Sequence, residues 1–202
     1  MPTEVIRIDP VRPDAAALAR AAGVLASGGL VAFPTETFYG LGAAALNADA
    51  VRRVFVLKGR PVRNPLLVIV DGIAMAETIA DIPERARPLI ARHWPGPLTL
   101  VCRARPVVPE EIGAGTGTVG VRWSPHPIAR GLAAALGAPV TAPSANPTGA
   151  PPATSAAAVL RDFGDALEMV LDGGETAGGE PSTVIDVTVE PPRVIRAGAI
   201  RP

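Results

Sequence analysis

The chain predicts an α/β domain built on a twisted, mixed parallel and antiparallel sheet with flanking helices. Two observations carry this. Helical segments alternate with short apolar, β-branched runs through most of the chain, whereas the last apolar runs follow one another without a helix between them. In addition, 48% of the residues are hydrophobic and only 19% charged, enough to pack a core. With aromatics at 3%, that core must come mainly from Ala, Val, Leu and Ile.

Taken in order, residues 14–27 read as a helix: Asp14 can cap it, the run is rich in alanine and leucine, and Gly28-Gly29 ends it. Leu30–Phe33 reads as a buried strand. Asn47 or Asp49 opens a second helix, with Val51, Val54, Phe55 and Lys58 at helical spacing, so Lys58 falls at its C-terminal end just before Gly59. Leu66–Val70 is a strand, and residues 83–93 form a helix with Pro83 in its first turn. Leu98–Arg103 and Thr118–Trp123 are strands, residues 126–136 a helix, and Pro139–Thr141 a strand. Thr154 is placed to cap a helix reaching Phe163. Met169–Leu171, Thr183–Val187 and Val194–Arg196 close the series as strands. The 202 residues suit a single domain, 1–202, with a core from about 12 to 196. Its 23 prolines and 21 glycines gather in connections 104–118, 142–153 and 172–182, lengths typical of binding loops.

Several classes are excluded. The net formal charge is zero, which argues against a general coat for polyanions. Cys102 is the only cysteine, so no intrachain disulfide can form. The first residues lack the apolar run of a signal peptide, and even the longest apolar runs, such as Leu66–Val70, are far too short to span a bilayer; a cytosolic protein with no membrane partner is expected. There is no G-x-x-x-x-G-K-[ST] loop, no G-x-G-x-x-G turn and no G-x-S-x-G elbow. Cys102, His93 and His126 make no metal cluster.

Against this background one residue stands out. Lys58 is the sole lysine beside 18 arginines, and a compact ammonium does what a planar guanidinium does not. The sole tyrosine, Tyr39, precedes the same predicted helix. Other polar clusters follow predicted strands: Thr35-Glu36-Thr37; Lys58-Gly59-Arg60 with Arg63 and Asn64; Thr118 with Arg122, four apart and so on one face of a strand; Ser144 with Asn146, on one side of an extended segment; Pro181-Ser182-Thr183; and Arg196. Each alone reads equally well as a capped turn, a helix-end cation or a proline turn. Together, cations, hydroxyls and glycines suit an anionic small molecule carrying phosphates.

These segments, in this order, resemble the YrdC-like family of threonylcarbamoyl-AMP synthases. The resemblance rests on Pro34–Gly42, Lys58–Pro61 with Asn64–Leu66, Trp94–Thr99, Val119–Arg122, Ala142–Asn146, Pro181–Asp186 and Ile195-Arg196, and runs from about Arg12 to Arg196. It implies a twisted α/β sheet around a basic cavity. It also implies formation of threonylcarbamoyl-AMP and pyrophosphate from L-threonine, bicarbonate or CO2, and ATP, with Mg²⁺ arriving on the ATP. The product would pass to a separate transferase that modifies tRNA, and weak tRNA contact is a further expectation. The family's Lys-x-Arg and Ser-x-Asn signature falls on Lys58, Arg60, Ser144 and Asn146, with Lys58 and Arg60 as the catalytic cations. The threonine pocket would take Thr35, Tyr39, Arg122 and Ser182. The nucleotide would meet Lys58, Arg60, Thr118, Ser144, Asn146, Thr154 and Arg196. Phe38 stands where the family often has valine, and the chain looks like the short form of the family, without a further C-terminal domain.

Overall fold

The computed structural model describes residues 2–201. Its strands are β1 (Glu4–Arg7), β2 (Val31–Pro34), β3 (Tyr39–Gly42), β4 (Leu67–Val70), β5 (Ala80–Asp81), β6 (Leu98–Ala104), β7 (Thr118–Trp123), β8 (Val140–Thr141), β9 (Met169–Asp172), β10 (Thr183–Asp186) and β11 (Arg193–Arg196). The helices are α1 (Ala15–Ala26), α2 (Ala48–Lys58), α3 (Ile73–Ile79), α4 (Arg87–His93), α5 (Glu110–Gly113), α6 (Pro127–Leu136) and α7 (Ala156–Phe163).

The expected mixed sheet is present but divided in two. A four-stranded sheet runs β1-β9-β2-β3, and a seven-stranded one runs β11-β10-β6-β7-β4-β8, with β5 paired to β6. Both mix parallel and antiparallel pairs: β9 is parallel to β2 and β2 antiparallel to β3, while β10 is parallel to β6 and β6 antiparallel to β7. Isolated bridges Gly40–Ser144 and Ala44–Val140 tie β3 to the segment around β8.

Strand periodicity explains how the core is split. In β2, Val31 and Phe33 join one apolar cluster and Ala32 the other; in β4, Ile69 opposes Val68 and Val70; in β9, Met169 and Leu171 oppose Val170. One cluster packs against α1 and α6 through Leu18, Leu25, Ile128 and Leu132. The other packs against α2 and α7 through Val51, Val54, Val159 and Phe163. Both clusters are built mainly from aliphatic side chains, as the composition requires.

The helix ends follow the local chemistry. Asp14 caps α1 by accepting from the amide of Ala17, and Asn47 caps α2 by accepting from Asp49 and Ala50. Gly59 closes α2 with φ 57°, a left-handed cap that glycine adopts freely. The cap of α7 is Ser155, whose Oγ accepts from Ala158 N at 3.2 Å, and not the expected Thr154. Pro83 precedes a 3₁₀ turn, Glu84–Ala86, rather than lying in the first turn of α4. Among the described residues, no helix is long and apolar enough to cross a membrane.

Candidate active site

In the larger sheet, β6, β7 and β10 turn one face to the core and the other to a cavity of about 760 Å³, a size that suits a bound small molecule. Alternation along the strands decides which residue faces which way. In β6, Leu98, Leu100 and Cys102 enter the core, while Thr99 and Val101 line the cavity. In β7, Val119 and Val121 enter the core, while Thr118, Gly120 and Arg122 line the cavity. β10 contributes Val184 and Asp186, and β11 contributes Ile195 and Arg196. The facing walls come from loops: Thr35, Thr37 and Phe38 before β3; Ala142, Pro143 and Ser144 after β8; and Gly179, Pro181 and Ser182 before β10.

Three guanidinium groups line this cavity: Arg60, Arg122 and Arg196. Arg60 lies just past the end of α2, where Nε and Nη2 donate to the carbonyls of Asn64 (3.1 Å) and Pro65 (2.9 Å). Arg196 donates from Nε and Nη2 to Ser182 O (3.2 and 2.8 Å) and from Nη2 to Ser182 Oγ (3.1 Å). Ser182 Oγ is also 2.9 Å from Thr99 Oγ1, so the hydroxyl network continues onto the sheet. Arg122 is only 4% exposed; its Nη1 is 3.4 Å from Glu36 Oε1, and its Nε has no hydrogen-bond partner. Glu36 is held from behind by Ser124, whose hydroxyl donates to Oε2.

Burial depresses the pKa of all three arginines. For Arg196 the neighbouring charges of Arg122 and Arg60 push the same way; for Arg122 the carboxylate of Glu36 opposes the shift. Neither Arg60 nor Arg196 has a carboxylate in ion-pair contact among the described residues. Asp186 lines the cavity, but it is engaged by Thr188 (2.6 Å) and by Arg193 (3.4 Å). The site therefore concentrates positive charge on a partly dehydrated surface, where an anion is held more strongly than in water.

Of the residues expected from the sequence, Thr35, Tyr39, Arg60, Thr118, Arg122, Ser144, Ser182 and Arg196 all line this one cavity. Thr35 Oγ1 donates to Phe38 O (2.7 Å) and lies 3.2 Å from Thr37 Oγ1. Tyr39 is fully buried, and its hydroxyl donates to Gly174 O at 2.7 Å, pinning the 173–182 loop. Burial, then the charge of Asp172, raises its phenol well above the usual range.

Lys58, Asn146 and Thr154 do not line the cavity. The resemblance makes Lys58 a cation that meets the nucleotide; in the structure it is 3% exposed, with its ammonium turned onto the backbone carbonyls of Ser144 and Asn146. Asn146 does not share a face with Ser144, because the chain bends between them and Asn146 Nδ2 donates to Pro147 O (2.9 Å) and Ala150 O (2.7 Å). Thr154 acts through its carbonyl, which accepts from Thr176 N at 2.9 Å. Thr37, from the Thr35-Glu36-Thr37 cluster, also lines the cavity, as do Thr99, Thr116 and Asp186, for which the sequence offered no individual role. Alternation with buried Leu98 and Leu100 was the signal available for Thr99.

The fold and the site define an α/β domain with an arginine-rich cavity on one face of a mixed sheet, a cavity whose charge suits a small anion. The chain belongs to the Sua5/YciO/YrdC family, whose model, described as "Telomere recombination", matches residues 23–198. It is 50% identical over 181 residues to the threonylcarbamoyl-AMP synthase of Pyrococcus abyssi, covering 89% of this chain and 53% of that protein. It is 42% identical over 185 residues to the Bacillus subtilis enzyme of the same name, covering 91% and 54%. The chain thus spans about half the length of these curated relatives. The crystal structure of P. abyssi Sua5 complexed with L-threonine superposes with a TM-score of 0.94 at 47% identity, covering 98% of this chain and 58% of that one.

Proposed function

We propose that this protein is an L-threonylcarbamoyladenylate synthase, forming threonylcarbamoyl-AMP and pyrophosphate from L-threonine, bicarbonate or CO2, and Mg·ATP. The observation that carries the reading is the convergence of Arg60, Arg122 and Arg196 with the hydroxyls of Thr35, Thr99, Thr118, Ser144 and Ser182 on one cavity. A related chain of the same fold is known with L-threonine bound, which supports threonine as the amino acid.

In this reading the threonine amine adds to CO2 and releases a proton, giving a carbamate. A carbamate oxygen then attacks the α-phosphorus of ATP; the bond from that phosphorus to the oxygen bridging to the β-phosphate breaks, and pyrophosphate leaves. The carbamate is a weak nucleophile that decomposes in water, so holding it against the phosphate within a cavity replaces concentration with proximity. Arg122, with its unpartnered Nε, suits the planar carboxylate of threonine, with Thr35, Tyr39 and Ser182 beside it. Arg60 and Arg196 suit the charge that grows on the departing pyrophosphate, and Thr118 and Ser144 suit the nucleotide. Mg²⁺ belongs to the substrate, carried by the ATP phosphates. The described residues contain no cluster of three or more His, Cys, Asp or Glu side chains that could hold a resident metal. The adenylate would feed a separate transferase acting on tRNA in the cytoplasm, with weak contact to tRNA itself.

The test is pyrophosphate release by the purified chain with Mg·ATP, L-threonine and bicarbonate, each omitted in turn. Release that needs every component is the expected outcome. Release independent of threonine or bicarbonate, or none while ATP still binds, would overturn the reading.

A further inference from the structure

The most unusual residue of the chain does its work behind the cavity wall. Lys58 is the last residue of α2, and its Nζ donates to Ser144 O and Asn146 O, 86 and 88 residues away. Its own carbonyl accepts from Thr148 N at 2.8 Å, so the end of α2 and the 144–148 turn are joined by three bonds through one residue. From the other side, the segment is stitched to β3: Leu41 N donates to Pro143 O at 2.8 Å, and Ala145 N donates to Tyr39 O at 2.7 Å. Pro143 and Ser144 line the cavity between these two anchors.

From this geometry we infer that Lys58 is a positioning residue, a clamp on the Ser144–Asn146 turn rather than a group that touches the nucleotide. The chemistry of the site requires this side chain. Two carbonyl oxygens converge on one point, and a compact ammonium with tetrahedral donors can serve both at once, whereas a guanidinium spreads its donors over a planar fork. An otherwise all-arginine chain therefore retains one lysine here. Burying an ammonium is costly, and the two hydrogen bonds offset part of that cost only while both carbonyls stay in place. The clamp also links the two halves of the sequence signature: Lys58 holds the turn, and the turn presents Ser144 to the cavity that Arg60 lines from the far side of Gly59. The inference rests on loop geometry in the ligand-free protein, so it stands or falls separately from the synthase reading.

Hydrogen exchange followed by mass spectrometry on the ligand-free full chain tests it, comparing wild type with Lys58→Met and Lys58→Arg. The amides of Ser144, Ala145, Asn146 and Thr148 are expected to exchange at least about tenfold faster in both variants, as for the loss of charge-assisted bonds, while β1 and α1 stay protected. Unchanged exchange in 143–148, or a Lys58→Arg variant that behaves as wild type, would overturn the clamp. A second measurement needs no variant. With lysine-specific ¹⁵N labelling, the single side chain gives one Nζ signal. A clamped ammonium gives a protected signal without nucleotide and keeps its position when a non-hydrolysable ATP analogue with Mg²⁺ saturates the protein. A large shift on adding the analogue would show direct phosphate contact and refute the proposal.

Discussion

Replacing Glu36 by glutamine isolates the electrostatics of the cavity with almost no change of shape. The amide oxygen of glutamine can still accept from Ser124, as Glu36 Oε2 does now. What disappears is the negative charge 3.4 Å from Arg122 Nη1. Arg122 is 4% exposed and shares the cavity with half-buried Arg60 and the more exposed Arg196, so it would be left a buried cation with no anion in contact and two further cations in the same cavity. Removing one partner of a well-made buried pair costs about 3–5 kcal/mol. Here the contact is longer than a good charge-assisted hydrogen bond, and Glu36 itself is 16% exposed, so about 2–3 kcal/mol is the better figure. For a chain of this size that corresponds to a melting temperature lower by roughly 4–12 °C. A multivalent anion should undo part of the loss, because it supplies the charge that Glu36 no longer provides. Thermal denaturation of wild type and Glu36→Gln, with and without pyrophosphate, is the assay. A variant that melts with wild type, or that gains no more from pyrophosphate than wild type does, would refute the claim that Glu36 balances Arg122.

Tyr39→Phe removes the 2.7 Å bond to Gly174 O while keeping the ring, so stability should fall by about 1 kcal/mol and proteolysis within 173–182 should accelerate; an unchanged cleavage rate would mean that the hydroxyl does not hold the loop. A pH effect follows from Lys58, whose burial, reinforced by the charge of Arg60, lowers its pKa from the ordinary 10.5 to about 8. Between those values the unfolded chain binds more protons at this site than the folded one, so stability attributable to Lys58 rises with pH, by about 1 kcal/mol from pH 8 to 9. The neutral amine keeps two N–H donors, so both carbonyls remain served. Buried Cys102, raised to about 12, acts in the opposite direction once an unfolded thiol would ionise above about 9, so the comparison belongs in that window and against Lys58→Met. Denaturant titrations in which wild type and Lys58→Met show the same change from pH 8 to 9 would contradict it.

The readable parts of the sequence were those governed by neighbours in the chain. Asp14 and Asn47 cap their helices because a short acceptor side chain reaches amides two or three residues on, and Gly59 ends α2 because it tolerates a left-handed turn. Thr118 and Arg122 share the cavity because side chains in a strand repeat every two residues. Elements whose evidence lies far away were not legible. β1 is a short, half-exposed strand that exists through parallel pairing with β9, about 165 residues later, and β3 contains two glycines that weaken any local strand signal. Thr154 looked like a helix cap because it precedes an apolar run, but Ser155 is the residue whose hydroxyl reaches the amide three positions on.

Lys58 marks the boundary most clearly. The sequence alone determined that it is singular and that it ends a helix, and the family resemblance grouped it with Arg60, Ser144 and Asn146. Whether its charge faces a ligand or a wall depends on where two carbonyls from a turn more than eighty residues later come to rest, and tertiary packing settles that. The same holds for Glu36 beside Arg122: local chemistry supplies the ions, but only the meeting of the β2–β3 loop with β7 brings them within 3.4 Å, because burial and distance set what a charge is worth.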